Sequence, residues 1–127
     1  MMIVGRGIRG GESSGLRSAN NSGGDVWSDI LMNEGDARCI SIMFAPGART
    51  RWHTHDGGQF IYTVAGQGWI QERGGERVTL NPGDVVWAEP NVEHWHGACA
   101  HGLVTQIALH FGDVKWMNEV TDQEYGK

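Results

Sequence analysis

Residues 47–66 read GARTRWHTHDGGQFIYTVAG, and this stretch decides which fold the chain is expected to adopt. His53 and His55 are two residues apart, so on an extended strand their side chains point to the same side. Gln59 follows after Asp56-Gly57-Gly58, a turn that brings the next strand back alongside the first. The stretch therefore predicts two imidazoles and a carboxamide close together where two neighbouring strands meet.

A second pair of histidines with the same spacing, His94 and His96, occurs later in the chain. Neutral imidazoles that converge from separate strands are common ligands of a transition metal. Chance alternation produces single His-x-His pairs, but two pairs flanked by glycine-rich turns favour a metal site. His101 lies in an Ala-His-Gly turn, and we interpret it as an ordinary histidine without a special role.

Short apolar segments separated by turns extend this pattern in both directions. They lie at residues 39–45, 59–65, 69–73, 77–80, 85–88 and 103–111. Gly74-Gly75 suits a tight hairpin, and Asn81-Pro82-Gly83-Asp84 is a second turn. The one helix candidate is the segment 121–125. Strands this short and this regularly spaced predict an antiparallel sandwich or barrel.

The strands carry apolar residues on both faces more often than they alternate with polar ones. In residues 103–111, Gln106, Ala108 and His110 fall on one face, which is the more polar of the two, and the leucines, isoleucine and phenylalanine fall on the other. A strand of this kind fits a barrel wall that separates a lined cavity from a packed outer layer.

The composition is that of one domain with a packed core. The chain has 127 residues, of which 39% are hydrophobic and 20% charged, and its 20 glycines against 3 prolines indicate many tight turns. Residues 10–24 are polar and predict a surface loop, which follows a strand-like segment at residues 1–8. We therefore expect an N-terminal strand and loop (1–24), a barrel (25–119) and a tail (120–127).

Charge and cysteine content argue against several classes of partner. A formal net charge of −5 argues against nucleic acid, whose phosphates need a basic face. No apolar run reaches the length of a signal peptide or a membrane span, so we expect no membrane partner. The two cysteines, Cys39 and Cys99, are far apart, which favours a reducing, cytoplasmic setting. The six tryptophans are interpreted mainly as packing residues.

Two motifs resemble those of the cupin family. The first has a glycine, a His-x-His pair, a position that usually holds a carboxylate and a closing glycine, here Gly47, His53, His55, Gln59 and Gly66. The second supplies the last metal-binding histidine and is similar to Pro82-Gly83-Asp84, Pro90 and His94. The resemblance covers residues 39–111. It implies an all-β fold, a single cupin (jelly-roll) antiparallel β-barrel over residues 1–127.

Three longer stretches resemble the small bacterial cupins that include manganese-dependent hydroxynitrile lyases. They read PGARTRWHTH (46–55), GDVVWAEPNVEHWHGA (83–98) and VKWMNEVTDQEY (114–125). In that subfamily a glutamine takes the carboxylate position, so the resemblance implies a divalent metal bound by His53, His55, Gln59 and His94. It favours Mn²⁺ as the cofactor, with Fe²⁺, Ni²⁺, Co²⁺ and Zn²⁺ as alternatives for a site rich in imidazole.

Such a ligand set indicates what chemistry the site supports. Three neutral imidazoles and a carboxamide leave the charge of a divalent ion uncompensated, so the site is a strong Lewis acid that prefers anionic ligands. Proton transfer then needs a base, and His96 and His110 are the candidates. His96 has a second interpretation, as a residue that holds a metal ligand in place. The lyases carry a pocket histidine where this chain has Gln106, which we expect to orient substrate.

The substrate pocket is expected to be apolar with one hydroxyl group. Alternate residues of the strand at 39–45 form its wall, because they face the same side of the sheet. The complete predicted set is Ile40, Ile42, Phe44, Thr63 and Ala108.

Three functions fit these residues. The first is a metal-dependent lyase acting on a small hydroxylated or carbonyl compound, resembling the cleavage or formation of cyanohydrins. The second is an Fe²⁺-dependent dioxygenase of a small diketone or phenolic substrate, and the third is a module that binds a metal and a small ligand without turnover. The family resemblance favours chemistry over binding alone. Cupins of this size usually pair, so we expect a homodimer or higher oligomer with residues 1–8 at the interface.

Overall fold

The computed structural model of the 127-residue chain describes residues 1–6, 16–17 and 21–126. These residues form thirteen strands and one short helix, so the predicted all-β architecture is confirmed. In chain order the elements are β1 (Leu16–Arg17), β2 (Asn21–Gly23), β3 (Val26–Glu34), β4 (Ala37–Phe44), β5 (Arg49–Thr50), β6 (His53–His55), β7 (Gln59–Gly66), β8 (Gly68–Glu72), β9 (Val78–Leu80), β10 (Val85–Ala88), β11 (His94–Ala98), β12 (Val104–Phe111), β13 (Val114–Trp116) and α1 (Asp122–Tyr125).

The strands form two antiparallel sheets with the core between them. The first sheet has the order β1-β3-β4-β12-β7-β10. In the second sheet β11 is central, with β8 and then β9 on one side and with β5 and β6 on the other. β2 and β13 extend this sheet beyond β5 and β6. Buried apolar residues from both sheets, among them Phe44, Ile61 and Ile70, pack against one another and close the barrel.

Strand β12 has the two-sided character that its sequence predicts. Burial alternates along it without interruption, and Gln106, Ala108 and His110 lie on the buried face. The more polar face of this strand is therefore the inner surface of the barrel. The six predicted strand segments correspond to β4, β7, β8, β9, β10 and β12, with ends that differ by at most two residues.

The N-terminal segment pairs with no strand of the described chain, and its predicted contact with a second copy stays a prediction. Residues 1–6 form no strand and are exposed, because they have no pairing partner within the described part of the chain. Residues 7–15 and 18–20 lie outside the described residues, as does most of the predicted loop at 10–24. The end of that loop is instead strand β2, since Asn21 pairs with Thr50 and the Ser22 hydroxyl donates to the Thr50 carbonyl oxygen at 2.7 Å.

The C-terminal tail ends in the predicted helix and packs against the barrel. Thr121 caps α1, its hydroxyl accepting from the Glu124 backbone N–H. The Tyr125 hydroxyl donates to the Ala98 carbonyl oxygen of β11 at 2.6 Å, and Arg49 of β5 donates to the Val120 carbonyl oxygen at 2.7 Å. The tail thereby holds two strands of the second sheet. No helix among the described residues is long and apolar enough to cross a membrane.

Candidate metal centre

Three histidines meet inside the barrel. β6 carries His53 and His55, and β11 carries His94, which lies directly opposite His53 in the register of the two strands. One ring nitrogen from each of the three lies within 4.8 Å of the other two, and all three side chains are buried. A group of this size can hold one metal ion.

Backbone carbonyls fix the orientation of two of these rings. Nδ1 of His53 lies 2.8 Å from the Arg51 carbonyl oxygen, and Nδ1 of His94 lies 2.9 Å from the Val92 carbonyl oxygen. A carbonyl oxygen only accepts hydrogen bonds, so Nδ1 is the protonated nitrogen in both rings. Nε2 of each ring is therefore left unprotonated, which is the form that binds a metal.

Gln59 completes a set of acceptors that fits a cation. Its Oε1 lies 3.0 Å from Nε2 of His94, and with the amide in this orientation both atoms present unshared electron pairs. Two ligands bound at right angles to one ion, with bonds of about 2.1 Å, are about 3 Å apart. Both ring nitrogens of His55 are buried without a hydrogen-bond partner among the described residues. The three imidazoles and the carboxamide thus fit a divalent ion.

Burial keeps these histidines neutral. It lowers the pKa of His53 well below its usual range, and the neighbouring His94 adds to the effect. Burial also lowers the pKa of His55 to about 3, with a further contribution from His110, because a second positive charge nearby is unfavourable. The pKa of His94 is lowered by burial as well. At neutral pH all three rings can therefore offer an electron pair without first losing a proton.

Two glycines make the turn that joins His55 to Gln59. Gly58 has a φ of +86°, and a Cβ atom there would overlap the ring of Trp87. A Cβ atom on Gly57 would lie 2.6 Å from Cβ of Phe111. Because no larger residue fits, this tight turn returns β7 beside β12 and brings Gln59 next to the histidines.

A polar network orients the second histidine of β11. Nδ1 of His96 lies 2.9 Å from Oε1 of Gln106, whose Nε2 donates to the Thr63 hydroxyl at 3.5 Å. In this arrangement Nδ1 of His96 donates, and Nε2 is the nitrogen that can accept a proton. Burial lowers the pKa of His96 to about 3. Its ring centroid is 5.7 Å from that of His53, so His96 and Gln106 adjoin the metal cluster.

His110 adjoins the cluster through His55. The two rings are stacked with their centroids 4.7 Å apart. Nδ1 of His110 is buried and has no hydrogen-bond partner in the described part of the chain. Burial lowers the pKa of His110, and the charge of Arg38 lowers it further. The ring is therefore neutral, with one nitrogen that no protein group satisfies.

Two cavities reach the histidines from different edges of the barrel. One, of about 540 Å³, lies beside β8, β9 and β10 and reaches His94. Its lining includes the apolar residues Ile70, Val78, Val86, Ala88 and Val92 and the acidic residues Glu72, Glu76 and Glu89. The other, of about 360 Å³, lies beside β3, β4 and β12 and reaches His110.

The predicted pocket residues all lie on the inner side of the barrel, and their role in binding substrate stays a prediction. Ile42, Phe44 and Ala108 belong to the packed core, Ile40 lies half-buried against it, and Thr63 is fully buried. The cavity beside His94 borders β8 to β10, whose residues were not among those predicted to line the substrate pocket. Alternation along those strands reveals which side chains face inward. It does not reveal which of them border empty space.

The tryptophans predicted to be packing residues include one that contacts a candidate metal ligand. Trp52 and Trp95 are buried beneath the C-terminal tail. The ring of Trp116 lies 4.8 Å from that of His53, so a residue interpreted as packing supports a candidate metal ligand. His101 is exposed on a turn.

The fold and the buried histidine cluster define a known class of protein. The family model described as a cupin domain matches residues 40–105, and the chain belongs to this family. It is also 42% identical over 123 residues to the (R)-mandelonitrile lyase of Granulicella tundricola, a match that covers 91% of this chain and 94% of that protein.

Solved structures agree with this assignment. A cupin-like protein from Thermotoga maritima superposes with a TM-score of 0.84 at 36% sequence identity, covering 91% of this chain and 92% of that one. A predicted oxalate decarboxylase from the same organism superposes with a TM-score of 0.73 at 22% identity, covering 87% of this chain and 100% of that one. This second structure shares the fold.

Proposed function

We propose that the chain is a metal-dependent lyase that cleaves or forms small cyanohydrins. The metal is a divalent ion, with Mn²⁺ favoured, and its ligands are His53, His55, Gln59 and His94. The observation that carries the proposal is the pair of acceptors on Gln59 and His94, 3.0 Å apart, beside a histidine that can act as base. The similarity to an (R)-mandelonitrile lyase supports this choice of reaction.

Different residues of the chain have different roles in the proposed cleavage of a cyanohydrin. A bound divalent ion supplies Lewis acidity, which makes a substrate hydroxyl easier to deprotonate. His96 accepts the hydroxyl proton at Nε2, because Gln106 holds its Nδ1–H. The C–CN bond then breaks, cyanide leaves with the electron pair, and a carbonyl compound remains. The proton on His96 passes to cyanide, which leaves as hydrogen cyanide.

The test is turnover by protein loaded with Mn²⁺. Racemic mandelonitrile should be converted to benzaldehyde and hydrogen cyanide, and removal of the metal by a chelator should stop the reaction. The matched assay measures oxygen uptake by Fe²⁺-loaded protein with a small diketone and a phenol. Oxygen uptake without cyanide release would instead support the dioxygenase alternative. Metal and ligand binding with no turnover in either assay would support the binding module.

We further propose that the chain forms a homodimer through the outer apolar face, defined as Phe60, Tyr62, Val64, Val85 and Trp87. These residues lie on the outer side of β7 and β10, where Phe60 pairs with Trp87 and Tyr62 with Val85. Their exposed fractions are 43%, 46%, 45%, 59% and 44%, in the order given. An antiparallel sheet that faces water normally carries polar residues at such positions.

A second copy of the chain is the occupant that this face fits. The five side chains expose roughly 400–500 Å² of apolar surface, which is enough for the apolar core of an interface in which each partner buries about 800 Å² with a polar rim around that core. None of them is charged, so two copies can pack together without bringing like charges into contact. The exposed residues 1–6 are the alternative contact.

The proposed function also includes a reducing, cytoplasmic setting, which the two free thiols, Cys39 and Cys99, support.

A further inference from the structure

We propose that Arg38 and His110 form a binding subsite for a small anion at the edge of the barrel, next to the metal ligands. This inference rests on the proposed lyase function for its place in the reaction. The subsite lies in the cavity beside β3, β4 and β12, whose lining includes none of the proposed metal ligands.

Strand register places Arg38 in line with the metal site. Arg38 pairs with His110 across β4 and β12, and His110 pairs with Gln59 across β12 and β7. Residues directly opposite in neighbouring strands project on the same face, about 5 Å apart. A ligand in the cavity can therefore contact both Arg38 and His110, and His110 lies between this cavity and Gln59.

The Arg38 guanidinium has capacity for a further partner. Its Nε donates to Oδ1 of Asn33 at 2.9 Å, and within the described part of the chain no carboxylate forms an ion pair with it. The two terminal nitrogens keep their N–H groups, and the planar fork of an arginine suits a carboxylate or another small anion. Arg38 and His110 both line the same cavity of about 360 Å³.

His110 is a buried side chain with an unsatisfied nitrogen atom at the same cavity. Its side chain is only 7% exposed, and its Nδ1 has no hydrogen-bond partner among the described residues. A buried polar atom left unsatisfied is unfavourable, so a ligand that contacts it recovers a hydrogen bond. The ring is stacked on His55, which keeps this nitrogen beside the metal cluster.

Two carboxylates line the same cavity and repel an anion. Removing one of them should therefore have the opposite effect on anion binding from removing Arg38. Asp36 and Asp113 lie on the turns at its edge and are exposed to solvent, as is Arg38, whereas His110 is buried. Exposed carboxylates are screened by water and salt, so their effect on a ligand held against the buried His110 ring is weaker. Removal of one of them should strengthen anion binding.

The subsite is expected to bind a small anion, and the proposed reaction offers two sources of one. It is either the cyanide that leaves with the electron pair of the C–C bond or a carboxylate carried by the substrate. Azide, which is linear like cyanide, represents the first source, and acetate represents the second. The two probes can be titrated separately.

The experiment measures azide and acetate binding by calorimetry in metal-free protein, where neither probe can bind a metal. We expect Arg38→Gln to weaken binding of the preferred anion about tenfold or more. Arg73→Gln, which removes the same charge at a distant surface position, should change binding less than twofold. Asp113→Asn should strengthen it. A preference for azide assigns the subsite to the leaving group, and a preference for acetate assigns it to the substrate.

Equal anion affinity in the parent and Arg38→Gln proteins, with both folded by circular dichroism, would overturn the subsite whatever the lyase assay shows. Absence of lyase turnover combined with Arg38-dependent anion binding would instead overturn the proposed reaction and leave the subsite standing. The two failures are therefore distinguishable.

Discussion

Oε1 of Gln59 and Nε2 of His94 face each other at 3.0 Å inside the barrel. Nε2 of His94 is an acceptor because its Nδ1 donates to the Val92 carbonyl oxygen, and Oε1 of Gln59 is an acceptor as well. A carboxylate at position 59 would bring a negative charge to the same place. The neutral amide is therefore the feature that sets the charge of the candidate metal site.

Gln59→Glu should separate metal affinity from anion affinity. We expect metal binding to be kept or tightened, because a carboxylate is the better partner of a divalent cation. Binding of azide to the Mn²⁺-loaded protein should weaken by about tenfold, because the added negative charge lowers the Lewis acidity of the site. Metal analysis and azide titration of the same preparation measure both effects.

His94→Ala is the control for this experiment, since it should lose metal in either case. Unchanged azide affinity in fully metal-loaded Gln59→Glu protein would show that the amide does not set the charge of the site. The cupin assignment would be unaffected, because it does not depend on residue 59 alone.

His96→Asn should lower kcat for mandelonitrile cleavage by about 100-fold, at the low end of what a positioned base contributes, because a pKa of about 3 makes His96 a weak base. Metal content should be unchanged, since His96 is not in the predicted ligand set. His101→Asn, at an exposed turn, should keep the parent rate. If His110→Asn abolished turnover while His96→Asn did not, the base would be His110.

The metal-free protein should lose stability as the pH falls below about 6.5. The unfolded chain binds protons at its histidines in this range, whereas burial keeps His55 and His96 neutral in the folded state until about pH 3. Unfolding therefore takes up protons, and stability that is complete above pH 6.5 decreases on acidification. For these two residues the free energy of unfolding should fall by about 3 kcal/mol between pH 6.5 and pH 5.2.

Urea unfolding at a series of pH values measures this slope. Saturating Mn²⁺ should raise stability by a similar amount at each pH from 7 to 5, because the histidines of the folded state are already unprotonated in this range and bind the ion without losing a proton. A free energy of unfolding that is flat from pH 7 to pH 5 would contradict the assigned burial effect.

Val85→Asp should convert the proposed homodimer into a monomer, because it places a charge in the outer apolar face. Val78→Asp is the matched control, since Val78 is also about half exposed, at 52%, but belongs to β9 of the other sheet. Light scattering after size-exclusion chromatography at micromolar concentration gives the mass of each protein. A monomeric parent protein would refute the dimer. A dimeric Val85→Asp protein would show that the interface is not the outer apolar face.

The sequence predicts the fold and the candidate site where short-range rules apply. His53 and His55 face the same side because strand geometry repeats every two residues, and Gln59 joins them because the intervening glycines form a tight turn. The polar inner face of β12 follows from the same periodicity. These features need only the local backbone and its immediate neighbours.

Other features depend on how distant segments pack. The cavity beside His94 is bordered by Ile70 and Val86, but their sequence cannot indicate how far the two sheets separate at that edge. Ile42 and Phe44 pack in the core between the two sheets, and their role in lining a substrate pocket stays a prediction. Residues 1–6 have the composition of a strand, yet no sheet edge in the described part of the chain pairs with them.

The direct pairing of His53 with His94 also bears on folding kinetics. The chain between them forms β7 to β10, so an ion bound to both residues would close a loop of about forty residues and act as a removable cross-link. Contacts between segments this far apart contribute to slow folding in β proteins. If the ion's contacts form after the transition state, metal loading would chiefly slow unfolding. Metal supply would then govern how long each folded molecule survives proteolysis.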